Sequence, residues 1–73
     1  MTATKNPAEI GQFIGNAIAR DVIREDMPRR WTGLDAQDGD QALAAGLEPG
    51  TPEWDAMEAA ARVAYEIAIA NAL

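Results

Sequence analysis

Residues 52–73 read PEWDAMEAAARVAYEIAIANAL, and this stretch decides the fold. Ala56, Ala60, Ala64, Ala68 and Ala72 recur at a stride of four, which puts them on one ridge of a helix. A ridge made only of methyl groups lets another backbone come close. Thr51 is placed to cap this helix and Pro52 to occupy its first turn. Glu53 and Asp55 suit the positive end of the helix dipole. The spacing predicts a helix over 52–72, about 31 Å long.

Three further rows complete its circumference. Met57, Ala61, Tyr65, Ile69 and Leu73 form one, and Ala59, Val63, Ile67 and Asn71 another. The last holds Trp54, Glu58, Arg62, Glu66 and Ala70, and past Asp55 it carries every charge. The uncharged arc spans about 250°, against a little over 100° for an ordinary surface helix. A chain of 73 residues offers little material to cover both apolar flanks of the alanine ridge. One flank, Val63/Ile67 or Tyr65/Ile69/Leu73, is therefore expected to meet a second chain.

The other strong element lies near the start. Asn6-Pro7-Ala8-Glu9 has the residue order of a helix N-terminus, with a capping acceptor, Pro at N1 and Glu at N3. Ile10, Phe13, Ile14, Ala17 and Ile18 follow as an apolar face, and Gly11, Gly15 and Ala19 form a row of small residues beside it. Two glycines inside a helix cost about 1 kcal/mol each relative to alanine, and close approach of another helix is the usual compensation. The helix is expected over 7–26, because Pro28 disfavours helical backbone at Met27. Asp21 projects onto the apolar face, so it lies beyond the edge of the core or has a partner there.

Residues 27–33 and 46–50 read as connectors, and residues 1–5 as a flexible N-terminus of a single small domain. Between the connectors a short helix over 39–45 is expected, with Asp38 as N-cap, Gln41 at N3 and Gly46 as its stop. The fold class is thus all-α. Two main helices pack antiparallel or crossed through their Gly/Ala rows (Gly11, Gly15 and Ala19 against Ala56, Ala60, Ala64, Ala68 and Ala72), with one short helix between.

The composition excludes more than it assigns. The chain has no Cys, His or Ser, which removes disulfides, thiolate metal sites and the commonest catalytic bases and nucleophiles. No catalytic, cofactor-binding or metal-ligating set is expected. Asp35, Asp38, Asp40 and Glu48 do not form a calcium loop, because Gly39 at the sixth position puts Leu34 at the first. Net charge is −6, and it is uneven. Residues 1–32 carry five cations and four acids, and residues 33–73 carry Arg62 against eight acids. Such a surface repels phosphate backbones and attracts basic proteins. No direct nucleic-acid binding is expected, although Arg29-Arg30-Trp31 holds cations beside an aromatic ring. No segment reaches the roughly 20 apolar residues needed to span a membrane, and no signal segment opens the chain. A cytoplasmic location follows as the expectation.

Trp31-Thr32-Gly33 between two helices resembles the W-x-G turn of the small helical-hairpin proteins of the type VII secretion family. Pro28 before the turn, and Ile69 four residues after Tyr65 where that family carries an acid, depart from the pattern. In size, acidity and lack of catalytic groups, the chain resembles in kind the small phage proteins that disable host machinery, anti-CRISPR proteins among them. The expected function is non-enzymatic protein binding, as a small acidic inhibitor from a phage or mobile element. It would block a host protein complex through a partner with a basic surface. The alternative is a homodimeric adaptor or antitoxin-like module with helix 52–72 at the interface. Trp31, Asp35, Asp38, Asp40, Trp54, Glu58, Val63, Tyr65, Ile67, Ile69 and Leu73 are the candidate interface residues.

Overall fold

The computed structural model describes residues 6–72. The expected flexible N-terminus at 1–5 and the interface role of Leu73 lie outside them. The described residues form three helices: α1 (Pro7–Arg24), α2 (Ala36–Ala44) and α3 (Pro52–Asn71).

Local chemistry accounts for each boundary. The Asn6 side chain accepts the Glu9 N–H at 2.8 Å, and the Thr51 hydroxyl accepts the Trp54 N–H at 3.2 Å while donating to the Glu48 carbonyl. Helix α1 stops two residues before the expected end. Asp26 adopts the left-handed region at φ 53°, and the Met27 N–H bonds the Val22 carbonyl while that of Asp26 bonds Ile23. This is the Schellman closure, made here with Asp rather than Gly in the left-handed position. Helix α2 starts three residues before the expected one. Asp35, not Asp38, is its N-cap, and Asp38 sits at N3 in a reciprocal capping box. Gly46 ends α2 as expected, in the same closure, with the Leu47 N–H on the Ala42 carbonyl and both side chains buried.

Helices α1 and α3 pack together along their length and run in the same direction, not antiparallel. Gly11 lies on α3 at Met57–Ala61, Gly15 on Ala61, and Ala19 and Val22 cluster further along with Tyr65 and Ile69. Residues 25–51 make this possible by carrying the chain back along one side of the pair. Trp31 packs against both core clusters on the way, and Ala42 and Leu47 cover Ile10, Ile14, Met57 and Ala61.

The glycine row does bring the helices together. A Cβ on Gly11 would stand on the Met57 carbonyl oxygen, 2.9 Å from the Ala60 methyl and 3.0 Å from the Ala61 nitrogen. The row it meets on α3, however, is Met57, Ala61, Tyr65 and Ile69, all buried. The all-alanine ridge lies beside this line. Ala64 is buried, Ala60 and Ala68 are half-buried, and Ala56 and Ala72 are exposed. The larger residues win the central position because burying them removes more apolar area from water. On α1 the glycine row takes the centre for the opposite reason, since only it permits the close approach. Phe13 is thereby pushed to the outer edge and stands 60% exposed instead of joining the apolar face.

Candidate functional site

Among the described residues, a larger and a smaller depression lie beside the α1–α3 pair and share no residue. The larger is an open cleft of about 790 Å³ between α1, residues 27–33 and the first turns of α2. Ala17, Ile18, Val22, Met27, Pro28 and Trp31 supply its apolar walls. Asp21, Glu25, Asp35 and Asp38 stand around it, with Arg30 as the one cation among the lining residues.

Two independent folding features place these acids, and a third places the aromatic wall. Asp21 and Glu25 sit at the C-terminal end of α1, whose dipole adds negative potential there. Asp35 and Asp38 are held by the α2 capping box. The connector turns Trp31 inward onto Tyr65, with ring centroids 5.4 Å apart and planes tilted by 55°. Asp21 is exposed and pairs with Arg24 at 2.7 Å, so it lies at the core's margin and also has a partner.

The carboxylates sense one another. Partial burial pushes the Asp38 carboxyl above its ordinary range, and the neighbouring Asp35 and Asp21 push it the same way, against the lowering effect of the Asp35 backbone N–H. The proton is held more tightly in the folded chain than in the unfolded one. Ionised Asp38 therefore opposes folding above its folded pKa, and that penalty fades as the pH falls through it toward the ordinary value. Asp38→Asn, which keeps an acceptor for the Asp35 N–H, is expected to raise stability slightly at pH 7. Urea midpoints should show the gain vanish by about pH 4; a gain that grows on acidification would contradict this account.

The second depression is a groove of about 390 Å³ on the side of the pair away from α2. Ala8 and Gln12 of α1 and Ala59, Ala60, Val63, Ala64 and Ile67 of α3 line it, with Asn6 and Glu9 at one end. Val63 and Ile67 are 58% and 57% exposed. Of the two flanks expected to meet another chain, the Tyr65/Ile69 flank is covered by α1 and Trp31, which corrects its assignment as an interface. The Val63/Ile67 flank remains uncovered.

The remaining candidates scatter. Asp40 and Glu58 are exposed but line neither depression, and Trp54 is half-buried against the Met57 cluster. Of the expected set, the cleft gathers Trp31, Asp35 and Asp38, and adds Asp21, Glu25 and Arg30. The discordant Asp21 on an otherwise apolar helix face was the sequence signal for this cleft.

Tyr65 is fully buried, and its hydroxyl has no hydrogen-bond partner. A buried, unpaired hydroxyl costs about 1–3 kcal/mol. Tyr65→Phe is expected to stabilise the fold by about 1 kcal/mol, a rise in melting temperature of about 4–8 °C for a domain of this size. A lower melting temperature would show that the hydroxyl is satisfied.

Among the described residues no group of three or more His, Cys, Asp or Glu is placed to hold a metal ion, and no helix is long and apolar enough to cross a membrane. No family model, curated protein or solved structure matches the chain.

Proposed function

We propose that this chain is a non-enzymatic protein-binding module that docks a basic partner in the cleft between α1 and α2. The observation that carries the reading is the pairing of apolar walls with four carboxylates and a single lining cation. Apolar contact supplies affinity, and the acids select and steer a positively charged segment. Trp31, half-buried at the junction of both core clusters, offers an aromatic face to a guanidinium or ammonium group. Surfaces that handle nucleic acid are basic, so occlusion of such a surface in a bacterial cytoplasm, in the manner of small phage inhibitors, is the form of action that fits this chemistry. The net charge of −6 supports the same direction.

A blocked peptide of alternating Arg and Leu provides the test, with Trp31 fluorescence as the readout in a Trp54→Phe background. Binding is expected to weaken about tenfold or more between 50 mM and 500 mM salt, and by a similar factor in Asp21→Asn/Asp38→Asn. The Glu-for-Arg version should leave the fluorescence unchanged. Equal binding of both peptides, or binding indifferent to salt, overturns the reading.

A further inference from the structure

We infer that a second copy of this chain covers the exposed face of α3, across a two-fold axis near Val63. The face is a strip of Ala56, Ala59, Ala60, Val63, Ile67 and Ala70, and it carries no charge. Five of the six are exposed and Ala60 is half-buried. In a chain of net charge −6, two copies repel each other over most of their surface. The strip itself holds no carboxylate, with Glu9 at one end of the adjoining groove, and it offers nothing to select the basic partner that the acid-rimmed cleft suits.

Its pattern of sizes is also self-complementary. An antiparallel crossing of two α3 helices at Val63 sets Ile67 of each over Ala59 and Ala60 of the other. There the groove beside Ala8 and Gln12 gives it room. The contact is then reciprocal, as a two-fold interface requires, with a large side chain meeting a small-residue hole twice. The strip runs from Ala56 to Ala70, about 21 Å at 1.5 Å per residue. With the edge of α1 included, it buries on the order of 400–500 Å² per chain, near the lower limit for specific association. The dimer is accordingly weak and depends on concentration.

Sedimentation of the full chain from about 10 µM to 1 mM tests this. Reversible dimerisation with a dissociation constant in the micromolar range is expected. Added salt should strengthen it slightly by screening the like net charges, the opposite of its effect on peptide binding in the cleft. Val63→Asp/Ile67→Asp should weaken it at least tenfold with helicity unchanged, since both side chains face solvent in the monomer. The chain has no cysteine, so single cysteines introduced at Val63 or Ala70 report geometry directly. Val63→Cys should cross-link across the axis under mild oxidation. Ala70→Cys should not, because the crossing separates the two copies of that residue by about 21 Å. A monomer at 1 mM, a dimer undiminished in the double aspartate variant, or a cross-link at position 70 overturns the inference. None of these outcomes bears on the cleft.

Discussion

Gly15→Ala is expected to leave the chain largely unfolded, or to lower its unfolding free energy by about 2–4 kcal/mol. In an ordinary helix this substitution gains up to about 1 kcal/mol, because alanine has the higher helix propensity. Here the new methyl would stand on the Ala61 carbonyl oxygen, 2.8 Å from its carbonyl carbon and 3.0 Å from its Cα. All three are backbone atoms and cannot rotate aside. The helices must separate, and every residue of both core clusters then loses contact. Overpacking alone costs about 1–3 kcal/mol, and the lost burial adds to it. A chain of this length has a total stability of roughly 4–11 kcal/mol. Gly39→Ala provides the contrast. Gly39 lies within α2 with nothing inside 4 Å of an added Cβ, so that variant should gain up to about 1 kcal/mol. Urea unfolding followed by circular dichroism measures both. A Gly15→Ala protein as stable as the parent would mean that α1 and α3 do not meet along this row.

The second large effect is expected at Trp31. Its ring lies half-buried against both core clusters and stacks at a tilt on Tyr65. Trp31→Ala removes that cover and exposes the one large polar-tipped side chain of the interior. The cost is expected at about 2–4 kcal/mol, below that of a fully buried tryptophan because the ring is partly wet already. Trp31→Phe should restore about half. The same change strips the cleft of its aromatic wall, so peptide binding should fall with it. Unchanged stability in Trp31→Ala would show residues 25–35 to be a loose strap rather than part of the core.

Both effects bear on what could be read from the sequence. The starts of α1 and α3 were legible because capping is local: Asn6-Pro7 and Thr51-Pro52 state them within three residues. The glycine row was legible because two glycines in a helix have few other uses. The start of α2 was misjudged, since Asp38 has the chemistry of an N-cap, and only its reciprocal bonding with Asp35 shows that the earlier acid caps the helix. The facing row of α3 could not be read from a helix with alanine in all four of its rows. It depends on which neighbours arrive, and Tyr65 and Met57 outcompete the methyl ridge for burial. The shared direction of α1 and α3 was hidden too, because it is set by the route of residues 25–51 and not by either helix. The cleft follows from that route, so Asp21 could be noticed as discordant without its neighbours Asp35 and Asp38 being foreseen.

That route also governs how the molecule comes into being. Helix α1 leans on a partner that begins 28 residues after it ends, and its two glycines make it a poor helix alone. During synthesis it emerges first and finds nothing to hold it. The contacts that hold it close a long stretch of chain and wait for Met57, Ala61, Tyr65 and Ile69, so α1 is expected to gain its partner late. A chain that ends before Met57 lacks the row on which Gly11 and Gly15 pack, and is expected to leave α1 open to proteases.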